Sequence, residues 1–359
     1  MCSSNMNFKK LDINCNDSGT TARLMCGYLA GLNIDCTIKG SDSLSKRPMK
    51  RIVGPLKNFG VNISCHNETL PIEIRKNNAI NSPFNYILKL PSAQIKSALI
   101  LYALSIKGIS IIKGEIKTRD HLERLLLYLK YPIKIDNNKI MVTGGCKICN
   151  KLNIRLPGDI SSASFLIAAT ILLKDSKLII RNIGLNQHRM GFINTLIKMG
   201  ASIQLVNNRY EYGELVGDIK VKYSNKLQGV TIKSSKVPCM IDEIPILCVV
   251  AAFSNGETNI KGVNELKHKE SNRIKAIIQN FKKMNGKVEY KNNILSIKPE
   301  KKMYNTSIES FGDHRIFMSF YIANLALGVF YSDSLSDKCY DKSFKNFIDI
   351  MKGTVCENF

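Results

Sequence analysis

A repeated arrangement of segments constrains the fold of this chain more than any other feature of its sequence. Five apolar segments rich in small residues begin near Ala22, Ser97, Ala163, Ile244 and Ile316, at spacings of 66 to 81 residues. A short β-rich run, an amphipathic segment with helical spacing and a further β-rich run follow the first four. The period is too long for a simple solenoid and predicts a module that contains a βαβ unit. We therefore expect an α/β fold built from repeated modules.

Polar residues recur at one phase of the repeat, immediately before its helices. Examples are DSGTTAR at 17–23, PSAQIK at 91–96, TRDH at 118–121 and GDHR at 312–315. N-capping accounts for the Ser, Thr and Asp residues, but a cation beside a helix N-terminus opposes the helix dipole. Helix N-termini combined with Arg and Lys form anion sites. If the helices of both halves of the chain point toward one cleft, we expect that cleft to be strongly positive. Such a cleft would suit a ligand with several negatively charged groups.

The net charge alone leaves several classes of partner open. The chain has 52 Lys and Arg against 29 Asp and Glu, a formal charge of +23. This excess is compatible with nucleic acid, an anionic surface or acidic small substrates, and a solvated basic surface is the simplest explanation. The basic residues are dispersed, no base-stacking motif accompanies them and Trp is absent, so we expect no nucleic-acid partner.

Other features bear on location and metals. The sequence has no apolar run long enough for a membrane span, and its polar opening does not predict a signal peptide. Eleven dispersed Cys residues fit a reducing compartment, and we predict a cytoplasmic protein. The single Cys146–Cys149 pair has no second pair and no nearby His, which argues against a zinc site.

Nine segments lie in order along the chain, at the phase where these polar residues recur: SGTTARL, SDSLSKRPMKRIVGPL, LPSAQIKSALI, KTRDHLERLL, LPGDISSASFLIAA, IDEIPILCVVAAF, NELKHKESNRI, FGDHRIFM and CYDKSFKNFIDIM. Together these segments resemble the EPSP synthase (3-phosphoshikimate 1-carboxyvinyltransferase) family. The resemblance implies a two-domain inside-out α/β barrel of βαβαββ repeats with its active site in the cleft between domains. It also implies transfer of the enolpyruvyl group of phosphoenolpyruvate to the 5-hydroxyl of shikimate 3-phosphate, without a metal or organic cofactor.

The resemblance implies a first domain over 1–154 with two repeats and a second over 155–359 with three, so that five of the family's six repeats are present. The family's opening Asp-Lys-Ser-x-Ser-His-Arg segment has no match here, and Asp17 stands where the family has Asn. Three explanations stay open: a misassigned start, a separate polypeptide that supplies the repeat, or an inactive protein. We expect a monomer, or a chain paired with that polypeptide.

The resemblance also implies roles for individual residues. The expected ligands of shikimate 3-phosphate are Ser92, Ala93, Gln94, Thr118, Arg119, Glu265 and Lys269. The expected ligands of phosphoenolpyruvate are Gly19, Arg47, Gln94, Arg273, Arg315 and Lys342. Asp242 is the expected general base on the 5-hydroxyl, and Glu270 the expected proton relay at the methylene carbon. Simpler explanations are an N-cap for Ser92 or Asp242 and a surface charge for a single Lys or Arg; we expect Glu243 to act as a cap or in an ion pair.

Two other functions are compatible with parts of the sequence. A related enolpyruvyl transferase acts on UDP-N-acetylglucosamine, but the SAQ, RDHxER and KESxR segments favour the shikimate enzyme, and the Cys-bearing loop of that relative is absent. A non-catalytic protein that binds anions or nucleic acid is the alternative from a different class. Its binding to DNA would fall steeply with salt.

Overall fold

The computed structural model describes residues 10–77, 82–148, 152–329 and 339–355, apart from the side chains of Lys342, Thr354 and Val355. The chain divides into two compact units, Met1–Asn153 and Ile154–Phe359. Each unit has its own cluster of buried apolar side chains. The assignment of two repeats to one domain and three to the other stays a prediction.

The first unit contains two modules with the same order of elements. The first module comprises β1 (Leu11–Asn14), α1 (Gly19–Leu32), β2 (Cys36–Lys39), α2 (Asp42–Ser45), α3 (Lys50–Asn58), β3 (Ile63–Cys65) and β4 (Ile72–Ile74), with a 3₁₀ turn at His66–Glu68. The second comprises β5 (Asn85–Leu88), α4 (Ala93–Leu104), β6 (Gly108–Gly114), α5 (His121–Tyr128), β7 (Ile133–Asp136) and β8 (Lys139–Gly144). The sheet orders are β1-β2-β4-β3 and β5-β6-β8-β7. In both sheets the first two strands are parallel and the other pairs antiparallel.

The second unit repeats this plan. Its elements are α6 (Ile160–Leu172), β9 (Lys177–Gly184), α7 (Gly191–Lys198), β10 (Ser202–Glu211), β11 (Glu214–Lys222), β12 (Thr231–Ile232), α8 (Ile244–Ala252), β13 (Thr258–Lys261), α9 (Arg273–Lys283), β14 (Lys287–Lys291), β15 (Ile294–Lys298), α10 (His314–Ala326) and α11 (Phe347–Val355). Short 3₁₀ helices lie at Gln187–Arg189, Ser234–Cys239, Asn264–His268 and Cys339–Lys342. The sheet orders are β10-β11-β9 and β12-β13-β15-β14. A parallel bridge from Gly158 to Ile183 takes the place of a first strand beside β9.

The predicted α/β class and repeat are confirmed. The leading helices of the five repeats are α1, α4, α6, α8 and α10. Helices α1, α4 and α6 begin three or four residues before the apolar segments that predicted them. Their caps Ser18, Ser92 and Asp159 accept backbone N–H bonds, so the polar residues themselves form the first turn or its cap.

The leading helices form the centre of each unit. All nine residues of α8 are buried, as expected for a helix that is apolar on every face, and α8 packs against α6 and α10. In the first unit α1 and α4 approach so closely that a Cβ atom on Gly27 would clash with the carbonyl oxygen of Ala98. These packed helices present their N-terminal turns as rigid supports for polar side chains.

Within the described ranges, every helix is too short or too polar to cross a membrane.

Candidate active site

The predicted ligands on α1 and α4 lie at two adjoining helix N-termini in the first unit. Ser92 Oγ accepts a hydrogen bond from the Ile95 N–H and so caps α4, whose first residue is Ala93. Gln94 Nε2 donates to Thr20 Oγ1 at 2.8 Å. This bond joins the first turn of α4 to the first turn of α1, which begins at Gly19.

The structure places Gly19 and Arg47, two of the predicted ligands of phosphoenolpyruvate, next to each other. A Cβ atom on Gly19 would lie 3.2 Å from Arg47 Nη1 and 2.7 Å from Arg23 Nη1. The guanidinium groups of Arg23 and Arg47 therefore lie beside the N-terminus of α1. Any side chain at position 19 would occupy the space of these two groups, which explains the glycine. Asp17, which replaces the family's Asn, accepts a hydrogen bond from Ser41 Oγ at 2.6 Å.

The loop between β6 and α5 carries Thr118 and Arg119. Thr118 is buried, and its Oγ1 atom has no hydrogen-bond partner in the part of the chain that the structure describes. Lys96 contacts the backbone of this loop. It is one of the cations that the sequence placed beside a helix N-terminus. Lys96 is fully buried and pairs with Glu123 at 2.6 Å. The expectation that these cations share a role in an anion site is therefore wrong for Lys96, which is held inside the unit.

Arg273 is the centre of a second cluster, in the second unit. It is the first residue of α9, and its side chain is 0% exposed. Nε and Nη2 donate to the Asp313 carboxylate at 2.8 and 3.3 Å, and Nη2 also donates to Glu270 at 2.7 Å. Nη1 lies 3.4 Å from Asp242 Oδ1. Burial opposes the charge of Arg273, but the three carboxylates outweigh it and raise the pKa of the guanidinium, so it is cationic.

The two predicted catalytic carboxylates, Asp242 and Glu270, thus share one buried guanidinium. Lys269 Nζ donates to Asp242 Oδ1 at 3.2 Å, and Arg315 Nη1 donates to the Asp242 carbonyl oxygen at 3.2 Å. The side chains of Asp242 and Glu270 are 16% and 25% exposed. Both are held in place and remain accessible, which suits groups that exchange protons with a ligand.

Asp159, Ser161 and Arg189 extend the cluster and were not predicted as site residues. Arg189 Nη2 bonds to Asp159 Oδ1 and Ser161 Oγ, each at 2.6 Å, and Ser161 Oγ donates to Glu243. Burial acts to raise the pKa of Asp159, but Arg189 and then Arg315 hold it below its ordinary value. The expectation that Glu243 forms an ion pair is confirmed by Arg315, 3.7 Å away. Asp159 and Ser161 lie at the start of α6, as Asp242 and Glu243 lie at the start of α8. This shared position in the repeat was the signal in the sequence.

The second unit's cluster is not strongly positive. It contains four basic and five acidic side chains: Arg189, Lys269, Arg273 and Arg315 with Asp159, Asp242, Glu243, Glu270 and Asp313. His314 adds no charge at neutral pH, because burial and then the Arg315 cation lower its pKa from 6.5 to about 4. Counting basic residues at helix N-termini overestimated the local charge, because carboxylates from the same turns neutralise them.

Two predicted ligands remain, Glu265 and Lys342. Glu265 is exposed in the 3₁₀ helix Asn264–His268 that precedes Lys269. The Lys342 side chain and Cys149 lie outside the described residues. Among the residues that are described, no group of three or more His, Cys, Asp and Glu side chains could hold a metal ion.

Comparison with known proteins places these observations in a family. Residues 2–351 match the family described as EPSP synthase (3-phosphoshikimate 1-carboxyvinyltransferase). The chain is 41% identical to the 3-phosphoshikimate 1-carboxyvinyltransferase of Endomicrobium trichonymphae and 38% identical to that of Thermodesulfovibrio yellowstonii, covering 95% of this chain and 79% of each relative.

Solved structures agree with this match. An EPSP synthase from Acinetobacter baumannii superposes with a TM-score of 0.82 at 32% identity, covering 96% of this chain and 79% of that one. The enolpyruvyl transferase NikO from Streptomyces tendae superposes with a TM-score of 0.63 at 15% identity, covering 84% of this chain and 68% of that one, and so supports the fold. The two-domain α/β fold expected from the sequence is confirmed, and the chain belongs to the EPSP synthase family.

Proposed function

We propose that this chain transfers the enolpyruvyl group of phosphoenolpyruvate to the 5-hydroxyl of shikimate 3-phosphate and releases inorganic phosphate. The observation that carries the proposal is the arrangement of Asp242 and Glu270 around Arg273 in a chain 41% identical to a named enzyme of this activity. The reaction needs two carboxylates with separate proton-transfer tasks, and both contact the guanidinium of Arg273.

The acceptor ligands proposed in the first unit share the α4 N-terminus and the loop before α5. Ser92, Ala93 and Gln94 offer a helix N-terminus, which favours a phosphate group. Thr118 and Arg119 add a hydroxyl and a guanidinium. Lys269 and Glu265 are the proposed acceptor ligands from the second unit.

The donor carries a phosphate and a carboxylate, which planar guanidinium groups bind well. Gly19, Arg47, Gln94, Arg315 and Lys342 are its proposed ligands. The absence of a side chain at Gly19 lets the Arg47 guanidinium lie beside the N-terminus of α1.

Arg273 requires a rearrangement before it contacts phosphoenolpyruvate, because its guanidinium is fully buried among carboxylates. Of its partners, Asp313 is 0% exposed and Glu270 is 25% exposed. We therefore propose that the donor carboxylate replaces Glu270 on Arg273 Nη2. Glu270 is then released to act on the methylene carbon.

The proposed chemistry balances in two steps. In the first step Asp242 takes the proton of the 5-hydroxyl while the hydroxyl oxygen attacks C2 of phosphoenolpyruvate. Glu270, which takes up a proton once it has left Arg273, gives this proton to the methylene carbon, and a tetrahedral ketal forms. In the second step phosphate leaves C2 and takes up the proton that Asp242 holds, while Glu270 takes a proton back from the methyl group. This restores the double bond and returns Asp242 and Glu270 to their starting protonation states. Lys269, which bonds to Asp242 Oδ1, would stabilise the ionised base before the attack.

Phosphate release tests this function. Wild-type chain mixed with both substrates should release phosphate, and either substrate alone should give none. Asp242→Asn should lower the rate about 100- to 10,000-fold, the usual contribution of a general base. Asp136→Asn is the matched control, because Asp136 forms an exposed pair with Lys139 in β7–β8, and it should retain the wild-type rate.

Absence of release by the folded wild-type chain would refute the proposal that this chain is an enzyme by itself. Equal rates for Asp242→Asn and wild type would leave the activity in place and refute the role of Asp242.

A further inference from the structure

Lys96 is an unusual buried residue of the first unit. Lysine is almost never fully buried unless it is paired, and Lys96 and Glu123 are 1% and 2% exposed at their side chains. Lys96 lies in the first turns of α4, two residues after Gln94, and Glu123 lies in the first turn of α5. The pair therefore ties α4 to α5, the helix that begins directly after the Thr118–Arg119 loop.

The ammonium group of Lys96 uses its hydrogen-bond donors on this loop as well as on Glu123. Nζ lies 2.6 Å from Glu123 Oε1 and donates to the carbonyl oxygens of Ile116 at 3.0 Å and Thr118 at 3.4 Å. Three acceptors match the three donors of an ammonium group. The backbone on both sides of Lys117 is thus fixed to one atom of α4.

Stability alone is a poor explanation for this pair. Replacing a buried ion pair by apolar residues is often neutral or stabilising, and a cation near the N-terminus of α4 opposes the helix dipole. Burial raises the pKa of Glu123 even though Lys96 acts to lower it, which indicates that burial of this carboxylate is costly. An apolar residue at position 96 could not donate to the Ile116 and Thr118 carbonyl groups.

The side chains of this loop alternate between exposed and buried positions. Glu115 and Lys117 are exposed, and Ile116 and Thr118 alternate with them as buried residues. Arg119, which follows, is partly exposed. A shift of this loop by one ångström would move the Thr118 hydroxyl and the Arg119 guanidinium relative to Ser92 on α4.

We propose that Lys96, held by Glu123, is a positioning residue that fixes the Thr118–Arg119 loop against the N-terminus of α4, so that both bind the phosphate group of the acceptor substrate. The inference rests on the proposed function, which assigns Ser92, Thr118 and Arg119 to shikimate 3-phosphate. Lys96 contacts backbone and Glu123, and acts on the substrate only through the loop.

Three variants test this role. Lys96→Met removes the anchor and leaves the Glu123 carboxylate buried. Lys96→Met/Glu123→Met removes the anchor without leaving a buried charge, so this variant should fold even if the single variant does not. Lys139→Met is the matched control, because it breaks an exposed pair with Asp136 in the same unit.

Limited trypsin digestion measures the loop without any substrate. With cleavage sites identified by mass spectrometry, cutting after Lys117 and Arg119 should be faster in the folded double variant than in wild type and Lys139→Met. Unchanged cutting after these two residues in the folded double variant would overturn the anchoring role, whether or not the chain is an EPSP synthase.

Steady-state kinetics then measures the consequence for the acceptor. In the double variant kcat/KM for shikimate 3-phosphate should fall about 100-fold, the cost of displacing a binding group by about one ångström, while KM for phosphoenolpyruvate stays unchanged. A wild-type value for shikimate 3-phosphate, or an equal rise in KM for both substrates, would overturn the positioning role. Inactive wild-type protein with the expected trypsin result would instead place the failure in the proposed function.

Discussion

The Arg273 cluster offers a quantitative test of how the second unit is held together. We consider Arg273→Met, which keeps an unbranched side chain of moderate length and removes the guanidinium. The substitution leaves Asp313, at 0% exposure, without the Nε and Nη2 donors that lie 2.8 and 3.3 Å from its oxygens. It also removes a partner of Glu270 and Asp242.

The expected cost follows from burial. Removing one partner of a buried ion pair costs about 3–5 kcal/mol, because the remaining charge has no compensation. We expect the upper part of this range, because three carboxylates lose one shared cation. A total unfolding free energy of about 5–15 kcal/mol is usual for a domain, so this loss would be a large share of the total. Lys283→Met is the control, since Lys283 and Glu309 are 36% and 43% exposed and such pairs contribute about 0–1 kcal/mol.

Urea unfolding followed by far-ultraviolet circular dichroism measures both variants. Arg273→Met should lower the midpoint far more than Lys283→Met. Arg273→Met/Asp313→Asn should recover part of the loss, because the double variant has one fewer buried negative charge. Similar costs for Arg273→Met and Lys283→Met would refute the view that Arg273 neutralises a buried acidic cluster. A double variant less stable than the single one would refute the charge explanation.

The fold was largely predictable because its signals are local. Apolar segments at a regular spacing predicted the leading helices, and polar residues before them marked the N-terminal turns. The apolar segments placed the starts of α1, α4 and α6 about one turn too late. The polar residues that precede each apolar segment form the first turn of the helix. The parallel pairing of β1 with β2 and of β5 with β6 followed from the βαβ order.

The position of the Arg273 cluster was predictable from the sequence, but its net charge was not. Sequence placed Asp242, Glu270 and Arg273 at neighbouring helix N-termini, and the structure joins them. It could not show that Asp313 would neutralise Arg273 from another helix, or that Lys96 would turn inward to Glu123. Both are contacts between residues 27 and 40 positions apart, which no local pattern encodes. Polar residues at helix N-termini therefore predict where charged side chains gather better than they predict the net charge of the cluster.

Two further predictions concern packing and pH. Gly27→Ala should destabilise the first unit by about 1–3 kcal/mol through overpacking against the Ala98 carbonyl. Gly54→Ala in α3, where a Cβ meets no atom within 4 Å, should add up to about 1 kcal/mol; thermal unfolding compares them. The His314 pKa is lowered from 6.5 to about 4, chiefly by burial, so between these values the unfolded chain binds more protons than the folded one. Stability should therefore fall as pH drops from 6.5 toward 4, by about 3 kcal/mol from this residue. His314→Gln should remove that part of the loss in urea unfolding across the same range, and an identical pH dependence in both proteins would refute the assignment.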